Sequence, residues 1–260
     1  MHRNPLLGET RSLPGVRVCG VSTRDDSDKQ GLVLDRVMLL GRTFEEYLRY
    51  FAIEPADWRG KAILDVASGV GSFCAEANER GWNVRACDPI YELAPADIRA
   101  RCEPDLDHVV QALQGLSTYR WDFYQTPERL RQYREKAYRT FLDDYERHQG
   151  TRYVAGCLPK LPFGEGQFDL ALVSYFLFVY EDLFAYEFHR ESVLQIMRLT
   201  RQEARFYPIV SFEGRRSTYL DRLREDPLLR HLRFEEVRTD FEFLINSNWY
   251  LRVTHGSERV

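Results

Sequence analysis

The run from residue 61 to residue 92, KAILDVASGVGSFCAEANERGWNVRACDPIYE, constrains this chain more than any other stretch. Ala62 to Val66 is a short apolar run of strand length. Ala67 to Gly71 is a tight turn built mostly from small residues. Ser72 to Arg80 fits a helix, and Gly81 stands where a helix needs a left-handed stop. Trp82 to Cys87 reads as a second strand that ends at Asp88. Strand, turn, helix and strand in that order build a parallel sheet with a crossover helix on one face.

The remaining chain supplies elements for a larger sheet of the same kind. A helix opens at Thr43, where Thr43 and Glu46 have the spacing of a capping box, and Phe44, Tyr47, Leu48 and Phe51 follow on one face. A long helix opens with Thr126 as cap and Pro127 in its first turn. Leu130, Tyr133, Ala137, Phe141 and Tyr145 mark its inner face, and Gly150 ends it. Further strands are expected at Tyr153 to Ala155, within Phe168 to Phe178, at Ala204 to Phe212, at Phe234 to Phe241 and at Trp249 to Thr254. Helices are expected around Arg190 to Leu199 and over Ser217 to Leu232. The apolar run after Phe168 suits a strand covered on both faces. No repeat or linker divides the 260 residues. The expectation is one α/β domain over 1–260, with an N-terminal arm or lid at 1–41 and a helical insertion at 91–150.

Composition removes several function classes. Net charge is −4 with 36 basic and 40 acidic residues, which argues against a general nucleic-acid binder. Thirty-two of the basic residues are arginines, which suits either genomic base composition or a site for an anionic substrate. The five cysteines (Cys19, Cys74, Cys87, Cys102 and Cys157) form no CxxC pair, and the histidines no HExxH, so no metal site is inferred. The longest apolar stretch is too short to span a bilayer and no secretory h-region is visible, so a cytoplasmic protein is expected.

The turn after the first strand carries the chemistry. Gly69 and Gly71 lack Cβ and let backbone approach a ligand closely. Ligands of doubly wound sheets bind there, outside the carboxyl ends of the strands. Asp88 ends the next strand, where a carboxylate can accept both hydroxyls of a ribose. A nucleoside-containing cofactor follows. A dinucleotide fingerprint would require a third glycine, but Gly71 is followed by Ser72, Phe73 and Cys74. Asp65, just before the turn, would repel a pyrophosphate and tolerate a cationic amino-acid moiety.

This stretch resembles motif I of the class I S-adenosylmethionine-dependent methyltransferases, an acidic residue followed by x-G-x-G-x-G. Asp65, Gly69 and Gly71 match, while Ala67 stands where the first glycine would be. Asp88 matches the family's ribose-binding acid. CLPKLPFGEGQFDLALVSYFLF resembles the downstream adenine-side loop and fourth strand, with Cys157 and Leu158 where relatives often carry an Asp. The resemblance covers about residues 60–90 and 151–255. It implies a doubly wound, mainly parallel seven-stranded sheet with helices on both faces. It also implies S-adenosylmethionine as cofactor, held by Asp65, Ala67, Ser68, Gly69, Gly71, Asp88, Pro89, Cys157, Leu158 and Ser174, with Arg42 pairing its carboxylate.

The acceptor is less constrained. The fourth strand runs into VSYFLF with no proline box of the kind found in methyltransferases of DNA or Gln, so a small organic acceptor is expected, with no nucleic-acid or membrane partner. Tyr119, Arg120, Trp121, Phe123 and Tyr124 read either as a lid or as packing. His189 is a candidate general base, with Tyr186 and Glu187 in the same segment, and Tyr175 a candidate for the methyl pocket. Two rival readings are a cofactor-binding protein without transfer activity and an oxidoreductase using NAD or NADP.

Overall fold

The computed structural model describes residues 37–256, so the proposed arm at 1–41 lies mostly outside the described residues. Within them the chain forms seven α-helices, a 3-10 helix at Pro89–Glu92 and seven strands. The strands are β1 (Ala62–Val66), β2 (Asn83–Cys87), β3 (Tyr153–Val154), β4 (Phe168–Ser174), β5 (Thr200–Tyr207), β6 (Leu232–Arg238) and β7 (Trp249–His255). They make one sheet in the order β3-β2-β1-β4-β5-β7-β6. The first five are parallel, while β7 is antiparallel to both β5 and β6. The seven-stranded, mainly parallel sheet implied by the methyltransferase resemblance is therefore present. No helix among the described residues is long and apolar enough to cross a membrane.

Strand alternation divides the core in two. Ile63, Leu170 and Leu172 point to one face and join α1 (Phe44–Tyr50), α3 (Phe73–Glu79), α4 (Pro95–Ala112) and α5 (Pro127–His148). Leu64, Val66, Ala171 and Val173 point to the other and join α6 (Tyr186–Leu199) and α7 (Tyr219–Glu225). A short α2 (Pro55–Trp58) precedes β1. The same alternation puts Asp65 and Ser174 on the α1 face, and that placement builds the site. β2 follows β1 on one side and β4 lies on the other, so the strand order switches at the carboxyl ends of β1 and β4.

Several local expectations hold for the physical reasons that suggested them. The Thr43–Glu46 capping box is formed in both directions. The Thr126 hydroxyl caps α5, and Gly81 takes a φ of 80° after α3. Others shift. β5 starts four residues early and ends at Tyr207, because Pro208 offers no N–H to a ladder. α7 stops at Glu225 instead of Leu232, because Pro227 excludes the α conformation from Asp226. β4 ends at Ser174, since Tyr175 turns to a φ of 49°. α6 begins at Tyr186, a turn earlier than expected, so Glu187 and His189 belong to a helix and not to a loop.

The 91–150 insertion consists mainly of α4 and α5, whose buried faces share one core with the sheet. Its aromatic segment is packing, not a lid. The Tyr119 ring lies 5.0 Å from Phe243, Trp121 5.3 Å from Phe243, and Phe123 5.0 Å from Phe241, while Tyr124 is fully buried. Arg120 pairs with Glu242 on the surface.

Candidate functional site

A pocket opens at the switch point, and its geometry starts with the turn after β1. Ala67 N donates to Cys87 O at 2.8 Å, which ties the turn to the end of β2. Ala67 and Gly69 take left-handed φ values of 53° and 54°. A Cβ on Gly69 would meet nothing within 4 Å, so that glycine serves the backbone conformation and leaves open space before it. Gly71 works differently. A Cβ there would fall 3.1 Å from Ser68 O and 3.3 Å from Arg42 O, so Gly71 lets the Arg42 backbone cross the turn and does not itself line the pocket.

Two carboxylates flank the turn. Asp65 is fully buried: its Oδ1 accepts from the Tyr47 hydroxyl at 2.9 Å and its Oδ2 from Ser68 Oγ at 2.7 Å. Burial raises its pKa to about 7 against the pull of those two bonds. Asp65 reaches the pocket through its partners, since Tyr47 and Ser68 line it and Asp65 does not. Asp88 lines the pocket directly. Its Oδ1 accepts from Ile90 N at 3.0 Å and its Oδ2 from Gly69 N at 2.9 Å. Burial raises this carboxyl to about 6. Each Asp88 oxygen keeps lone-pair capacity for a further donor.

At the end of β4 the pocket wall holds polar atoms without partners. Among the described residues, Ser174 Oγ, the Tyr175 hydroxyl and Arg42 Nε are buried and find no hydrogen-bond partner. The Arg42 guanidinium lies 4.4 Å from the centroid of the Tyr175 ring and also bonds Leu40 O. Buried polar groups are normally satisfied, so three orphans in one wall point to a polar ligand. On the opposite side Pro89, Cys157 and Leu158 line the pocket. Gly156 allows that loop to pass β2, because a Cβ there would lie 2.7 Å from Cys87 Sγ.

Sequence reasoning thus brought together Arg42, Ala67, Ser68, Gly69, Asp88, Pro89, Cys157, Leu158, Ser174 and Tyr175, all of which line one pocket. His189 is a correction. It is fully buried away from the pocket, its Nδ1 facing Ala185 O at 3.0 Å and its Nε2 facing Leu177 O at 2.9 Å. Burial lowers its pKa against the pull of these two carbonyls, and the ring packs in the core. Tyr186 bonds Asp226 at 2.7 Å, outside the pocket lining. Missed by sequence reasoning were Arg101 of α4 and the rings Phe176, Tyr180, Phe184, Phe188 and Phe212, while Val37 to Leu40, at the end of the stretch read as an arm or lid, form a further wall. Phe176, Tyr180, Phe184 and Phe188 recur every fourth residue and Phe212 ends the run read as the fifth strand, so the apolar pattern reads as core and does not mark a pocket wall.

No protein-family model matches the chain. Among solved structures it is similar to a TehB-like SAM-dependent methyltransferase from Corynebacterium glutamicum, at 16% identity over 77% of this chain and 82% of that one, with a TM-score of 0.41. It is also similar to the magnesium protoporphyrin IX methyltransferase of Synechocystis with bound SAM, at 11% identity over 82% and 78%, with a TM-score of 0.41. One curated relative is far nearer in sequence. At 36% identity over 219 residues, 84% of this chain and 96% of the relative, the chain belongs to the same family as the uncharacterized protein MJ0045 of Methanocaldococcus jannaschii.

Proposed function

We propose that this chain binds S-adenosylmethionine at the switch-point pocket and transfers its methyl group to a small organic acceptor. One observation carries the reading. Asp88, with each oxygen holding a single backbone N–H, faces the same pocket as the unpartnered Ser174 Oγ, Tyr175 hydroxyl and Arg42 Nε. A ligand with a diol at one end and a charged amino acid at the other fits both ends. Asp88 would accept the ribose hydroxyls. Pro89, Cys157 and Leu158 would border the adenine. Arg42 would pair the carboxylate, and Asp65, through Ser68 and Tyr47, would set the charge next to the ammonium. A bound S-adenosylmethionine supplies an activated methyl on a sulfonium. The protein's share of catalysis is then positioning and exclusion of water, and positioning alone supplies about 7–11 kcal/mol of barrier. The aromatic-walled space beside Tyr175 favours transfer over binding alone, because a sensor has no need of a second apolar compartment.

The test is a thermal-shift and calorimetric comparison of S-adenosylmethionine, S-adenosylhomocysteine, NAD and NADP. Binding of the two adenosyl compounds alone is expected. Asp88→Asn is expected to weaken that binding at least tenfold while leaving the fold intact. Binding of NAD or NADP, or no binding of either adenosyl compound, would overturn the reading.

A further inference from the structure

Beyond the cofactor end, the pocket continues into a compartment with a different chemistry. Phe184 and Phe188 stack with centroids 4.5 Å apart at 16°. Phe176 lies 5.4 Å from Phe184, and Tyr180 meets Phe212 edge-on at 5.0 Å. With Val37 these rings pack as one small apolar cluster that also lines the pocket. Phe176, Phe188 and Phe212 stay only partly buried, so their faces are available to a ligand. The Tyr180 hydroxyl is already used, accepting from Met38 N at 3.3 Å. What remains is apolar ring surface with Arg42 and Tyr175 at its inner end.

Among the described residues no side chain offers a free base directly beside Tyr175 and the aromatic wall, and the Asp65 carboxylate reaches the pocket only through the Tyr47 and Ser68 hydroxyls. Among the described residues its lining holds no His, Glu or Lys. Asp88 is bound by Gly69 N and Ile90 N at the ribose end. Tyr47 donates to Asp65. Tyr175 keeps its proton, since burial pushes its phenol up, and Cys87 is held protonated by the same cause. Cys157 directs its thiol at Leu158 O on the adenine side. Arg42 and Arg101 are cations and cannot accept a proton.

Resting on the methyltransferase reading, we propose that the acceptor is an apolar, ring-bearing small molecule that arrives with its nucleophilic sulfur or oxygen already ionised. The anion forms the new bond to the methyl carbon as the carbon–sulfur bond breaks. The electron pair of that bond stays on sulfur, which becomes a neutral thioether. The positive and negative charges cancel and no proton is released, so no general base is required.

The test uses the full chain and ring-substituted thiophenols that differ in acidity, with benzylamine and glycine as protonated, less apolar controls. S-adenosylhomocysteine binding is measured first. Its absence would overturn the cofactor reading and this inference with it. The thiophenolates are expected to bind the S-adenosylhomocysteine complex and to be methylated, with the acidic limb of kcat/KM moving in step with each thiol's own ionisation. Phe188→Ser and Phe212→Ser are expected to raise KM for these acceptors roughly tenfold while S-adenosylhomocysteine affinity, which also reports folding, stays unchanged. With S-adenosylmethionine saturating at every pH, a limb fixed across the series would reveal a protein base and overturn the inference. Failure of the thiophenolates to bind the loaded protein, or turnover of the amines alone, would overturn it while the cofactor reading stands.

Discussion

Burial holds Asp65 at about 7 and Asp88 at about 6, both above the unfolded value of 3.8. A carboxyl raised in this way adds stability that is complete below the unfolded value and is lost as pH rises through the folded one. The unliganded protein is therefore expected to lose stability between about pH 4 and pH 7, as read by denaturant midpoints, and Asp65→Asn should remove part of that slope. A cationic ligand reverses the balance, because it favours the ionised carboxylates. Calorimetry from pH 5.5 to 8 should show S-adenosylmethionine binding tighten on the order of tenfold, with a flatter profile in Asp65→Asn. A profile identical in both proteins would remove Asp65 from the binding account. Ala67 carries a separate cost. Its φ of 53° strains an L-residue by about 1–2 kcal/mol, while glycine loses about 0.4–1 kcal/mol more chain entropy on folding. Ala67→Gly should therefore stabilise the protein by about 0.5–1 kcal/mol, visible as a Tm rise of roughly 1–4 °C. A fall in Tm would mean that the Ala67 methyl makes a packing contact worth more than the strain.

Helices α1 and α5 are joined by a buried charge network that stands behind the pocket. Arg134 Nη1 donates to Glu46 Oε1 at 2.7 Å and to Gly41 O at 3.0 Å, and its Nη2 donates to the Tyr124 hydroxyl at 2.6 Å. Tyr50 donates to the same Glu46 oxygen at 2.9 Å. Burial works against the Glu46 charge, but Arg134 and Arg42 outweigh it and hold its pKa below the usual value. Removing one partner of such a pair leaves the other charged and desolvated, at a cost of about 3–5 kcal/mol. Arg134→Met should lose that much in urea denaturation, and adding Glu46→Gln should recover most of it. Equal loss in the single and double variants would show that Arg134 matters for packing and not for charge. This network also marks the limit of what the sequence discloses. The capping box and the apolar stripe of α5 were legible because they follow helical period. Arg134 sits buried between Leu130 and Tyr138, and a charge inside a stripe carries no sign that its partner lies 88 residues away. The turn that lines the pocket was legible for a related reason: its carboxylates and its glycines lie within one short stretch. The aromatic wall and the shortened α7 depended on tertiary contact and on prolines whose effect the apolar pattern hid.

Across the whole molecule the pocket is closed by contacts between distant segments. Leu39 N donates to Asp105 Oδ2 on α4 at 2.8 Å, and Met38 N donates to the Tyr180 hydroxyl at 3.3 Å. The segment from Val37 to Leu40 therefore bridges the insertion and the stretch after β4, and it forms one wall of the site. Neither bond is part of a helix or strand, so the bridge can open without unfolding the sheet. Ligand entry at a walled pocket requires such an opening, and a bound ligand must oppose it. At 100 times its Kd a ligand adds about 2.7 kcal/mol to any opening that releases it, a factor of about 100 in the opening equilibrium. Hydrogen exchange in the presence of S-adenosylhomocysteine should then slow by up to about 100-fold at the amides of Met38, Leu39 and Gly69. Amides of the β6 edge, which touch no part of the pocket, should slow only where they exchange by global unfolding. Protection at Gly69 without protection at Met38 and Leu39 would place the ligand on the motif turn and show that the bridge does not close over it. Slowing at all three sites would make the bridge the gate of the pocket, held on one side by the insertion and on the other by Tyr180 of the aromatic wall.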